Sequence, residues 1–310
     1  MVKTIKRIIK QRAFLSFLFL KKWLIFMSDF NDNSLGHNGL TTAVLQPEPT
    51  LYAETIFHIG KMPVTNSLIN SWLVVLVVII VILFIKNRIK MVPKGAQNFI
   101  EIIIESLFNI FDSVTASREK TMKFFPIIFS FFIFILLSNW SGLIPGVGSV
   151  GLVIAENGKK IFVPYFRGGT ADLNTTLALA VIGVIISHIF SIFTVGAYRY
   201  LNKFINIKAL LEIPKKILKD PTILLVNPIK FFAGLLEIIG EMAKLASLSF
   251  RLFGNIFAGE VLLASMSAIL LFGLPIPFMF LEILVGFIQA LIFSMLVLTY
   301  IIMMTSAEEH

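Results

Sequence analysis

The chain has no cysteine in its 310 residues, which excludes disulfides, thiol chemistry and cysteine-held metal or iron–sulfur centres. Charge is also scarce: Asp, Glu, Lys and Arg make up 15% of the residues, against 57% hydrophobic types. In place of charge stand several apolar runs near the ~20 residues needed to cross ~30 Å of hydrocarbon. One polytopic membrane domain therefore fits the length better than two soluble ones. Acidic residues are the scarcer sign, 18 against 27 Lys and Arg, a net charge of +9. That excess lies in blocks between apolar runs, as the positive-inside rule expects, and no basic face on a soluble recognition fold accompanies it. Nucleic acid is not an expected partner, and no metal or cofactor is expected. Nor are repeated halves visible, which counts against a secondary transporter built from internal repeats.

Three regions follow from the patterning. Residues 1–28 are basic and then apolar, a leader or anchor with no convincing small-x-small cleavage site. Residues 29–66 are polar and read as an extramembrane loop, and 67–310 form the membrane domain. Spans are predicted at about Ile69–Ile85, Phe124–Leu143 and Leu173–Tyr198. Between the first two, Glu101, Glu105 and Asp112 recur at nearly helical spacing among Ile and Phe, so Ala96–Val114 is predicted as an amphipathic surface helix. The segments 86–123 and 199–230 each carry seven Lys/Arg, whereas 145–172 carries three. The first two are therefore expected inside and the third, with some short extended pieces, outside. Pro214, Pro221 and Pro228 break up the basic segment 199–230.

The last two apolar runs are too long to stand upright. Phe232 to Phe272 would make a helix ~62 Å long, about twice the hydrocarbon thickness. Either it tilts strongly or it breaks partway, with Gly254 and Gly259 available for bending or close packing. The run from about Ile276 to Thr305 is also too long, and a turn at Gly273–Pro277 separates the two. The expected fold is an all-α membrane protein with about five embedded helices, the last two a long, strongly tilted hairpin.

Arg251 lies deep in the first of these helices. A cation at the bilayer centre costs ~2.5–3.5 kcal/mol on insertion scales, and arginine cannot shed its proton to escape. Such a charge faces a partner or a water-filled path. Glu260, nine residues on, sits ~180° round and ~13 Å along the helix, so the two do not pair on one face. Glu282 and Gln289 share a face of the final helix. An antiparallel fold about the break brings Glu260 toward Glu282 and Arg251 toward Gln289, two separate polar layers.

Arg251-Leu-Phe-Gly-Asn255 with Ala258-Gly-Glu260, then Glu282, Gln289 and Ala307-Glu-Glu-His310, resembles subunit a of the F-type ATP synthase. The likeness extends upstream through Ile56-Phe-His-Ile-Gly60, Pro63-Val-Thr-Asn66, Pro93-Lys-Gly95, Asn139-Trp, Phe166-Arg-Gly and Thr170-Ala-Asp172-Leu-Asn-Thr-Thr176, and so covers about residues 50 to 310. The resemblance implies a non-catalytic stator with two offset half-channels beside a c-ring. It implies that Arg251 faces the ring carboxylates, with Asn255 and Gln289 beside it. It implies that Glu260 and Glu282, where some members have one histidine, line the outer half-channel. Peripheral-stalk subunit b, the F1 head and membrane lipids are the further partners implied. A bacterial plasma membrane is the expected location, with a mitochondrial inner membrane as the alternative.

Blander roles stand beside these. A snorkelling structural arginine, a hydrogen-bonded pair of structural acids, and helix-to-helix amides at Asn255 and Gln289 are the alternatives. Asp172 is either the N-cap of its helix or part of the outer water path. His188 is either a packing residue or a relay, and Glu237, Glu241 and Lys244 either an ionic cluster near the inner surface or the lining of the inner exit. A self-contained transporter with an intramembrane Arg/Glu site is the alternative function. Whether H⁺ or Na⁺ is carried rests on the ring.

Overall fold

The computed structural model describes residues 52–306 except 87–89, 91–92, 94, 145–146, 148–149, 157–158, 199, 201–222 and 270–274. The expectations for 1–28, for most of 29–66, for much of 199–230, for the first part of the Gly273–Pro277 turn and for the Ala307–His310 ending lie outside the described residues.

A short arm opens the described chain: β1 (Thr55–Ile59) pairs antiparallel with β2 (Met62–Thr65) across a turn where Gly60 has φ 65°. It leads into α1 (Asn66–Lys86). Only the first half of α1 is buried, by Asn66, Ser67, Asn70 and Ser71 as well as Leu68, Val74 and Val75. Its second half exposes Leu76, Ile80, Leu83 and Phe84, the pattern of a helix whose solvent is lipid. The amphipathic helix appears as α2 (Ala96–Thr115), burying Leu107 and Phe111.

α3 (Arg118–Gly142) follows after Ala116, which caps α2 in the left-handed region with φ 50°. Next come a hairpin of β3 (Gly151–Glu156) and β4 (Lys159–Pro164), a single 3₁₀ turn at Gly169–Ala171, and α4 (Leu173–Val195). The chain ends in α5 (Ile223–Ile269) and α6 (Pro275–Ser306).

The structure is thus that of an all-α membrane protein with two small hairpins. Among the described residues, five helices are long and apolar enough to cross a membrane. α4 packs against both α5 and α6, and α3 lies along α6. Phe131, Phe132, Ile128 and Ile135 of α3 meet Phe293, Val297, Leu298 and Ile301 of α6 in one core, with Leu248 and Leu252 of α5. Gly183 of α4 lets Val297 approach so closely that a Cβ there would lie 3.0 Å from it.

Of the two courses left open for the long helix one is removed, and its expected start changes. α5 does not break: it runs through Gly254 and Gly259 without interruption. It also begins nine residues earlier than expected and includes Pro228, expected to interrupt the basic segment. Pro228 stands in the second turn, where its missing N–H removes only one ladder bond. At 1.5 Å per residue α5 is ~70 Å long and α6 ~48 Å, so neither can stand upright in ~30 Å of hydrocarbon. Pro275 opens α6, a position where no backbone donor is missed.

Candidate functional site

The face of α5 carrying Arg251 points away from the core. Leu248, Ser249, Leu252, Phe253 and Ile256 are buried, whereas Ser247, Phe250, Arg251, Gly254, Asn255 and Ala258 are exposed. The guanidinium donates from Nη2 to Ser247 Oγ, one turn earlier, at 3.2 Å. No carboxylate among the described residues lies within ion-pair distance of it. Exposed Leu281, Leu284, Phe287 and Ile288 continue the apolar surface onto α6. Nothing of the described chain lies within 4 Å of where a Cβ of Gly254 would stand, so this surface is open at Arg251.

The hairpin register differs from the expected one by about a helical turn at one layer. Gln289, buried on α6, accepts from Asn255 Nδ2 at 2.7 Å, so Asn255 rather than Arg251 meets the glutamine. Both amides therefore sit beside the arginine, one turn on, and bond helix to helix. The carboxylate layer is nearer the expectation: Glu260 and Glu282 line one small cavity of about 40 Å³, with Asn139, Gly168 and Ile256. About 10–15 Å³ suffices for one water.

Glycine makes room for the acids. A Cβ on Gly259 would fall 2.1 Å from the Glu282 carboxylate, which explains the glycine in Ala258-Gly-Glu260. Glu282 is buried, and its Oε1 has no hydrogen-bond partner among the described residues. Glu260 instead has a partner the sequence gave no reason to expect: Arg167, in the loop after β4, holds Glu260 Oε2 with Nη2 at 3.1 Å and Nε at 3.3 Å. The only hint in the sequence was Phe166-Arg-Gly, and nothing in spacing links it to an acid 93 residues on.

Asp172 is the N-cap of α4: its Oδ1 accepts from the Asn174 N–H at 3.2 Å. Oδ2 accepts from Ser67 Oγ at 3.1 Å and Thr175 Oγ1 at 3.2 Å. Burial pushes its carboxyl above the ordinary carboxylate range, against those hydrogen bonds and the charge of Arg167. The cap half of the two expected roles is present; Asp172 does not line the cavity between Glu260 and Glu282.

Two residues of α3 hold the acid-bearing helix. Asn139 Nδ2 donates to the Gly286 carbonyl at 2.9 Å and Trp140 Nε1 to the Ile283 carbonyl at 3.1 Å. Thr170 in turn donates to Asn139 Oδ1. Far down α5, Glu241 takes Lys244 Nζ at 2.7 Å, while His188 of α4 places Nε2 3.8 Å from Glu241 and Nδ1 2.9 Å from Tyr200. The expected ionic cluster thus includes His188 and is well separated from Arg251, about 15 Å along the helix.

These features define a polytopic helical membrane protein with ionisable groups placed inside its spans. Residues 68–302 match the family described as ATP synthase A chain. An ATP synthase subunit a of Moorella thermoacetica is 29% identical over 246 residues, covering 79% of this chain and 93% of that protein. That of Syntrophobacter fumaroxidans is 36% identical, covering 77% and 83%, and that of Geobacter sulfurreducens 34%, covering 76% and 86%. The chain belongs to the ATP synthase A chain family, the a subunits of the membrane sector of F-type ATP synthase.

Proposed function

We propose that the chain is the ion-conducting stator beside a c-ring, with Arg251 facing the ring's carboxylates across the open face of α5. One observation carries this: a permanent cation exposed on an apolar helix with no carboxylate of the described chain to neutralise it. Such a charge is costly in lipid, and an acid on a neighbouring subunit removes that cost. The small residues Ser247, Gly254 and Ala258 around it let another helix come close.

The chemistry follows from electrostatics. A ring carboxylate facing lipid is held neutral by desolvation, and beside Arg251 the opposite charge favours its ionisation. The proton leaves toward one aqueous half-channel, the ring steps, and the acid is reloaded from the other half-channel through Glu282 and Glu260. Asn255 and Gln289 lock α5 to α6 one turn from Arg251, which keeps the guanidinium on the open face. Arg251 between the two paths repels a bare proton and prevents a leak. A charge moved across 100 mV supplies ~2.3 kcal/mol, so several ions accumulate for each ATP made elsewhere in the complex. The chain itself performs no covalent catalysis. Peripheral-stalk subunit b, the F1 head and membrane lipids are its other partners, and a bacterial plasma membrane its location, where the basic segments lie inside.

The test is ATP-driven acidification of inverted vesicles. Arg251→Ala should abolish it in assembled complexes, and Arg251→Lys should leave little, because an ammonium lacks the planar fork. Acidification at the normal rate with Arg251→Ala would overturn the proposal.

A further inference from the structure

Arg167 lies outside the membrane spans yet reaches a carboxylate inside one. Besides gripping Glu260 Oε2 through Nε and Nη2, it donates from Nη1 to the Tyr52 carbonyl at 3.0 Å, and it is 9% exposed. Its charge is also felt at Glu54 on the arm and at Asp172 at the head of α4. Elements from four parts of the chain thus bring acids around one cation: Glu54, Asp172, Glu260 and, across the cavity, Glu282 of α6. A guanidinium suits the position because it stays charged at any working pH and offers donors in several directions.

The grip is one-sided. Glu260 Oε2 is occupied, whereas Oε1 takes no hydrogen bond among the described residues. Oε1 lies on the Gly168 side, 3.4 Å from where a Cβ of Gly168 would stand. Gly168, Glu260 and Glu282 all line the same water-sized cavity, and the buried Glu282 Oε1 has no partner there among the described residues. We propose that Arg167 is a positioning residue for ion transfer: by pinning one oxygen of Glu260 to the loop and arm, it presents the other oxygen to the cavity shared with Glu282. The inference rests on the stator reading and names the group that sets the geometry of its acid pair. A neutral staple between the arm and α5 would need the same contacts but not the charge, and this difference is measurable.

The experiment follows passive proton flux, driven by a potassium diffusion potential, through membrane vesicles carrying the complex with its ATPase head stripped, over a range of pH. Arg167→Gln removes the charge and keeps a polar amide on a shorter side chain, Arg167→Lys keeps the charge, and Arg251→Ala, assayed for ATP-driven acidification with the head in place, serves as reference. The Gln variant should assemble with the ring and lose about tenfold in flux at neutral pH. Its flux profile should move to higher pH, as loss of a neighbouring cation favours the protonated acid, each unit being a tenfold change. The Lys variant should fall between it and the parent. Parental flux and profile in Arg167→Gln overturn the proposal. So does flux that falls only in step with the complex recovered, with an unmoved profile, or failure of both variants to assemble. ATP-driven acidification by Arg251→Ala with the head in place, by contrast, sinks the stator reading itself; its loss there beside parental flux and profile in Arg167→Gln sinks only the role given to Arg167.

Discussion

A single methyl group separates two glycines of α5 in what they tolerate. At Gly259 a Cβ would overlap the Glu282 carboxylate at 2.1 Å, while at Gly254 it would meet nothing of the described chain. Gly259→Ala should therefore push Glu282 out of place and lower both thermal stability and proton flux. Gly254→Ala should leave the detergent-solubilised subunit as stable as before or more so, since alanine is favoured by ~1 kcal/mol in a helix. If Gly254→Ala is stable yet pumps poorly, the open face is where the ring docks; parental pumping from Gly254→Leu would show that nothing approaches it. That Arg251 and Glu260 do not pair is legible from helical spacing alone. The pairing of Arg167 is not, because a lone arginine in a polar loop carries no signal of the acid that the fold brings to it.

Among elements, α4 gives the clearest pH dependence. Burial makes the folded Asp172 carboxyl hold its proton more tightly than the unfolded one, whose pKa is about 3.9. The folded state then binds more protons than the unfolded between those two values. Stability is therefore greatest below the unfolded pKa, falls as pH rises through the folded value, and is constant above it. Asp172→Asn keeps an acceptor for the Asn174 N–H and should flatten this part of the profile of melting temperature against pH in detergent. A profile with the same slope in both proteins would remove Asp172 as its source. The other end of the register is held by amides: Gln289→Leu leaves the Asn255 amide without its partner and should cost about 1 kcal/mol, seen as a lower melting temperature.

Hydropathy places the first three spans, because a membrane span is set by length and apolar content, and the spacing of its acids places the amphipathic helix; the largest error is at Phe124, where the helix begins at Arg118. The helix starts before Phe124 and Ile69 are not visible to hydropathy because Arg118–Lys123 is mostly polar and Asn66–Ser67 polar, though both are helical. The hairpin register was reached from symmetry about the break and came out right for the acids, but about a turn off at Gln289. Counting residues about a turn ignores the bulk of the side chains between, and here Gly259 admits Glu282 while Asn255 takes the amide. Pro228 inside α5 was unreadable in the same way, since a proline near a helix start and one in a loop look alike.

For the molecule as a whole, the two long helices and the grip of α3 on α6 belong to one problem. On the proposed stator reading, a helix of 47 residues beside a turning ring is pushed sideways at every step. Part of the restraint on the hairpin runs through the carbonyl oxygens of Ile283 and Gly286, beside the Gln289 amide and the apolar side chains that α6 puts into the core. A hold on the main chain is indifferent to which side chain stands at 283, so that site can drift freely and still be gripped. At 286 the same hold leaves no slack, because Asn139 already sits 3.1 Å from where any larger residue would begin. On the same reading, a residue larger than glycine at 286 loosens the hold of α3 on α6, and the complex couples poorly although it still assembles.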